Sequence, residues 1–209
     1  MDAALLITAF ATLFVIIDPI GLTPLFVALT QGMTPKQRRA VAARACIIGI
    51  AVLLLFGLFG EAVIGFVGIT LPAFRIAGGI LLFLTALDML FERRQSRRED
   101  QAEGAQNDTA VDDDPSVFPI AIPLIAGPGA IASMILLTGD QDWFGFMAVS
   151  AVMIAVVGLA FVLFLLAGPI ERALGKTGVT IVSRLFGMLL AALSVQFVMD
   201  GLKAFGIGV

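Results

Sequence analysis

Two short stretches place residue types capable of chemistry inside an otherwise apolar chain. The first is Asp18-Pro19-Ile20-Gly21-Leu22-Thr23-Pro24; the second is Gly127-Pro128-Gly129, with Pro119 and Pro123 upstream. Proline has no amide donor, so Pro19 and Pro24 deprive the carbonyls of Val15 and Ile20 of their helical partners. In lipid, each orphaned carbonyl costs on the order of several kcal/mol unless protein or enclosed water satisfies it. Both breaks must therefore face protein or a cavity. A helix that restarts at such a break offers free amides, here those of Gly21 to Thr23 and of Gly129 to Ile131. The positive end of its dipole suits an anionic group. The competing reading is a pair of proline kinks kept for packing. Proline with adjacent glycine at matched places in both halves favours a binding site.

Asp18 is the only acidic residue near the centre of an apolar run. A carboxylate there is costly enough that function is the default reading, as a contact for a ligand or a cation. Asp followed by Pro is also a favoured helix start, so Asp18 caps the segment beginning at Pro19 on either reading. The matched place in the second half holds Gly127, so negative charge at the site is one-sided.

Catalytic chemistry is poorly supplied. The chain has no His, no Tyr and one cysteine, Cys46, which reads as a small buried apolar residue and forms no intrachain disulfide. A Cys/His metal cluster is ruled out, and no pair of mid-membrane carboxylates is available for acid–base work. No GxxxxGK[ST] stretch occurs, so ATP does not drive this chain directly. An enzyme is not expected, and no cofactor beyond a coupling proton or sodium ion.

These residues need elements to position them, and composition says where those elements lie. Of 209 residues, 59% are hydrophobic and 14% charged, with mean hydropathy +1.04. Soluble domains carry roughly 25% charge, so this chain has too few charges to cover a water-facing surface. Apolar windows predict spans over 3–30, 43–67, 71–91, 117–138, 144–168 and 180–206. The first run lacks a basic n-region and a small-residue cleavage pattern, which reads as a span rather than a signal peptide. A polar stretch from Glu92 to Asp114 opens with Arg93, Arg94, Arg97 and Arg98 and closes on three aspartates; it reads as a solvated connector.

The basic residues set an orientation. With the N-terminus outside, 11 of the 13 Lys and Arg fall inside, leaving Arg75 and Lys203 outside. Six crossings return the C-terminus to the outside as well. Sliding the chain over itself reveals one offset, 109 residues, that pairs Pro19 with Pro128, Gly49 with Gly158, Arg75 with Arg184, Gly78 with Gly187 and Thr85 with Ser194. Each half holds three spans, an odd number, so the second copy enters the membrane from the opposite side.

The expected fold is thus an all-α polytopic membrane protein. Six transmembrane helices form two inverted three-helix repeats, 1–91 and 117–209, around a polar loop at 92–116, with helices one and four broken near mid-membrane. Arg75 and Arg184 at span ends read chiefly as snorkelling to headgroups. Thr85 and Ser194, each seven residues beyond a repeat-matched glycine, read chiefly as helix contacts. Glu61, Asp88, Glu171 and Asp200 near span ends read as interfacial.

At this point the segments Asp18 to Phe26 and Pro123 to Ile131 resemble the two signature segments of the MarC family, and the resemblance covers the whole chain. It implies a bacterial or archaeal plasma-membrane protein related to small neutral amino acid transporters and, more distantly, to LysE-like exporters. The residues and the resemblance converge on a secondary transporter of small solutes driven by a proton or sodium gradient. A channel-like pore and a non-transporting accessory subunit are the alternatives. The candidate substrate-binding residues are Asp18, Pro19, Gly21, Thr23, Pro24, Gly127, Pro128, Gly129 and Ser133, with Arg75, Thr85, Arg184 and Ser194 as secondary candidates. The expected partners are a small-molecule substrate and the lipid bilayer, with homo-oligomers left open and no nucleic acid.

Overall fold

The computed structural model describes residues 3–94, 96–98, 100 and 114–207, without the side chains of 171, 172, 174 and 176. Among the described residues every regular element is helical: α1 (Ala3–Ile17), α2 (Pro19–Leu29), α3 (Pro35–Phe66), α4 (Leu71–Leu90), α5 (Ser116–Ile125), α6 (Pro128–Thr138), α7 (Trp143–Leu165) and α8 (Ala167–Ala204). The acidic part of the polar connector, 101–113, lies outside the described residues.

Five helical stretches are long and apolar enough to cross a membrane: Ala3–Leu29, Pro35–Phe66, Leu71–Leu90, Trp143–Leu165 and Thr177–Ala204. A sixth is made by α5 and α6 if their 55° bend is allowed within one span. Large apolar side chains such as Ile7, Phe59, Leu84 and Leu189 stand exposed on the flanks, as lipid contact requires and water would penalise.

Helix starts follow local chemistry. Thr34 and Gln37 form a reciprocal capping box ahead of Pro35, so α3 begins in polar sequence well before the apolar window at 43. Thr70 caps α4 through the Ala73 amide, and Asp142 caps α7 through the Gly145 amide. In α8, Gly175 adopts φ 59°, which separates the stretch after Ala167 from the span beginning at Thr177.

The closest pairing in the bundle is between α4 and α8, which run antiparallel. A Cβ added to Gly79 would lie 2.8 Å from the Ser194 carbonyl oxygen; one on Gly187 would lie 3.1 Å from that of Ala86, and one on Gly201 3.0 Å from that of Pro72. Small residues let the two backbones touch, and in lipid such contact replaces the hydrophobic effect as the source of association. Around this seam the core is filled by fully buried Leu13, Ile17, Leu22, Leu53, Leu82, Ile125, Met134 and Leu190.

Charge is segregated along the bundle. At one end Arg44 pairs with Asp114 at 2.8 Å, Arg97 with Asp88 and Arg184 with Glu92, while Arg38 and Arg39 border a groove with Phe164 and Gly168. At the other end Arg75 pairs with Asp140.

Candidate functional site

The site is built where α1 stops. Asp18 occupies the left-handed region at φ 56°, ψ 63°, one that a short polar side chain tolerates better than a bulky one. Its amide still donates to the Phe14 carbonyl at 3.0 Å, and its carbonyl accepts from the Leu22 amide at 3.0 Å, so the chain turns without losing both ladders. The Asp18 carboxylate folds over α2 and its Oδ1 accepts from the Gly21 amide at 3.0 Å. Only glycine fits there, because a Cβ at position 21 would meet Asp18 Oδ2 at 2.2 Å. The Gly21 amide expected to be free is therefore already engaged by Asp18. Thr23 is fully buried and its Oγ1 donates to the Pro19 carbonyl at 2.9 Å.

Asp18 is 2% exposed, and its charge is answered by an arginine. Arg98 Nη1 donates to Asp18 Oδ2 at 3.3 Å, and Arg98 Nη2 donates to the Ile17 carbonyl at 3.3 Å. Arg94 Nη2 donates to the Ile16 carbonyl, and Arg94 Nη1 contacts Met89 Sδ at 2.9 Å. The two guanidiniums thus bind the last carbonyls of α1, where the negative end of its dipole welcomes cations. Burial, then the like charge of Arg98, pulls Arg94 below the ordinary arginine range, with Asp18 and Asp88 opposing. Arg94 stays charged at neutral pH.

The second break lies alongside. In α5, Phe118 and Ile122 take extended angles, the Phe118–Pro119 and Ile122–Pro123 peptides are cis, and the Ala126 amide closes a wide turn onto the Ala121 carbonyl at 2.8 Å. Then α6 begins at Pro128 behind Gly127, which has no side chain to cap it. The amides of Gly129 and Ala130 belong to this uncapped first turn. A Cβ on Gly129 would sit 2.8 Å from Ile16 Cδ1 and 3.6 Å from Leu82 Cδ2, so the start of α6 packs directly on the end of α1. One turn along each helix from that contact stand Thr12 and Ser133, both fully buried, with hydroxyls that have no hydrogen-bond partner among the described residues.

Between the breaks and the end of α4 is a cavity of about 220 Å³, bordered by Ile16, Thr85, Asp88, Arg94, Arg97, Arg98, Pro123 and the Gly127–Ala130 turn. At roughly 30 Å³ per water, it holds several waters or one small solute. A second space of about 20 Å³, the size of a single water, touches Asp18, Glu92, Arg94, Thr180 and Ser183.

The structure therefore brings Asp18, Gly127, Pro128, Gly129 and Thr85 to one region, with Pro19 and Gly21 directly behind Asp18. Pro24 lies within α2. Ser194 is buried in the α4–α8 seam, its Oγ donating to the Ala191 carbonyl at 2.6 Å. Arg75 and Arg184 form ion pairs at opposite ends of the bundle. Arg94 and Arg98 are the residues that sequence reasoning assigned to a solvated loop. The signal for them was a buried carboxylate needing a cation, together with two arginines four residues apart just after a span.

Comparison with known proteins finds a family of integral membrane proteins. The MarC family of integral membrane proteins matches over residues 3–205. A UPF0056 membrane protein of Methanocaldococcus jannaschii is 34% identical over 97% of this chain and 98% of its own length. The UPF0056 membrane protein YvbG of Bacillus subtilis is 35% identical over 97% of this chain and 96% of its own. The UPF0056 inner membrane protein YhgN of Escherichia coli is 32% identical over 95% and 96%. No solved structure matches the chain.

Proposed function

Because the chain belongs to the MarC family of integral membrane proteins, we propose that it is a secondary transporter of small neutral amino acids, coupled to a proton or sodium gradient. The observation that carries this reading is that the end of α1, through Ile16, and the uncapped start of α6 border one cavity, with the buried Asp18 carboxylate held just behind its arginine wall by Arg98. Non-helical backbone at membrane depth is tolerated where it is buried in protein or lines a water-filled cavity, and paired breaks near the midplane are where secondary transporters hold their substrates.

A zwitterion suits this arrangement. Its carboxylate meets the Gly129 and Ala130 amides and the arginine-rich wall, and its ammonium, or a coupling cation beside it, is drawn to Asp18. Closeness of Gly129 to Ile16 keeps the site compact, which favours glycine or alanine over larger side chains. Binding and release need no covalent step, and this reading gives the chain no enzymatic role.

The reading includes an inverted repeat with both termini outside. It is supported by the antiparallel contact of α4 with α8, the third helices of the two halves, and by the concentration of basic residues at one end. On this reading the cavity, which is bordered by Arg94, Arg97 and Arg98 toward that basic end, faces inward in this conformation. The test is uptake of labelled glycine and alanine into proteoliposomes of purified protein, with proton or sodium gradients imposed in turn. Saturable flux that follows one gradient supports the reading; conductance without saturation points to a channel; absence of any flux removes the transporter assignment.

A further inference from the structure

We propose that the segment after α4 is a built-in gate whose Arg98 guanidinium occupies the cation position on Asp18 and must withdraw before any other cation or ammonium group reaches that carboxylate. The inference rests on the transporter reading for what passes the gate, but not for the gate itself.

Four observations converge. Arg98 comes from outside the spans yet is 6% exposed, with its head group on Asp18 and on the Ile17 carbonyl. Both contacts are 3.3 Å, long for a charged pair, so the hold is complete in charge and loose in geometry. The segment is turned back toward the bundle by Glu92, a non-glycine residue at φ 62°, a backbone state that persists where its surroundings enforce it. Those surroundings are two ion pairs, Glu92 with Arg184 on α8 and Arg97 with Asp88 on α4. The anchors are half-exposed or more on at least one partner, whereas the Asp18–Arg98 pair is buried. The segment therefore has a hinge at Glu92, outer moorings and two inner attachments, Arg94 on the Ile16 carbonyl and Arg98 on the Asp18 carboxylate, of which only the second is an ion pair. Beneath it lies the water-sized space shared by Asp18, Arg94 and Ser183, whose Oγ is buried and without a partner among the described residues.

A guanidinium that satisfies Asp18 from within competes with any cation arriving from solution. Removing it raises the fraction of protein with Asp18 available, and apparent affinity scales with that fraction. The Arg98–Asp18 charge pair is the bolt, so removing either partner frees the Arg98 end of the segment although Arg94 keeps its carbonyl, and removing both does nothing more.

The experiment uses the full chain with Cys46→Ser and Ser183→Cys, and follows the reaction of the new thiol with a small water-soluble maleimide. The parent is expected to react slowly. Arg98→Ala and Asp18→Asn are each expected to raise the rate at least about tenfold, their combination no further, and Arg98→Lys to keep it slow. Equal rates in the parent and in Arg98→Ala, both confirmed as monodisperse and helical, overturn the gate. So does a combined rate that is the product of the two single effects, which marks two unrelated loosenings. Because labelling needs no substrate, faster labelling without glycine or alanine flux keeps the gate and removes the transporter reading. Flux with unchanged labelling does the reverse.

Discussion

Arg98 and Asp18 are separated by 80 residues of chain and meet at 3.3 Å in the interior of the bundle. Each lowers the cost of the other's charge there, helped by the Gly21 amide on Asp18 and the Ile17 carbonyl on Arg98. A lone buried carboxylate would carry several kcal/mol of desolvation, and a lone guanidinium likewise. The pair balances the Asp18 charge, and Arg94 on the Ile16 carbonyl adds a second positive charge at the break in the first span.

Replacing Asp18 with Asn separates charge from capping. Asn caps helices about as well as Asp, so the turn into α2 and the helical content are expected to survive. A charge-assisted bond of about 1.5–3 kcal/mol is lost, which at about 1.36 kcal/mol per decade lowers gradient-driven alanine uptake in proteoliposomes by about 10- to 150-fold. Wild-type rate with unchanged ion dependence would return Asp18 to the role of a helix cap.

Gly129→Val acts on shape alone. The new Cβ would sit 2.8 Å from Ile16 Cδ1 and its methyls would press further into the junction of α1 and α6. Uptake of glycine and alanine is expected to fall below detection, while Gly129→Ala retains a measurable fraction. Binding of alanine, read as thermal stabilisation of the purified protein, should be lost in step with uptake.

Sidedness is checked with single cysteines in a Cys46→Ser background. Position 36 is expected to react with an impermeant maleimide only in inside-out vesicles, and position 140 only in intact cells. The opposite pattern would invert the orientation drawn from the basic residues.

The α4–α8 seam predicts a stability effect remote from the cavity. Gly79→Val forces side-chain atoms against the Ser194 carbonyl and Val198, and overpacking of this kind costs about 1–3 kcal/mol. Gly65→Val, with nothing within 4 Å of its Cβ, is the control and should shift stability by less than about 0.5 kcal/mol beyond helix propensity. Equal melting temperatures for the two variants would deny the seam its tight packing.

Much of this was legible in the chain. Pro19 and Pro128 mark where α2 and α6 begin because proline at the first helical position is a local rule, independent of partners. Apolar windows anticipated the five candidate spans and the bent α5–α6 pair because span length is fixed by the bilayer. They missed the first two turns of α3, since Lys36 to Arg44 are too polar for a hydropathy average although Thr34 and Gln37 start a helix there. They left 169–179 between spans, where the chain is instead helical on both sides of a break at Gly175. Arg94 and Arg98 were misread for a different reason: in composition they belong to a polar loop, and only the folded chain shows that the loop's first turn returns to the break. The engagement of Gly21 by Asp18 was half visible, as a cap, but its effect in taking an amide away from any ligand was not.

The glycine notches along α4 and α8 also bear on how such a molecule can move. Carbonyls of each helix sit in notches of the other at Gly79, Gly187 and Gly201, spaced along nearly the whole length of the pair. A sliding step of one turn would drive backbone into side chain at all three places together. The two helices are therefore locked against sliding past one another and form one stiff post, and on the transporter reading proposed above the cavity would open to the opposite face by other helices tilting about that post as a fulcrum.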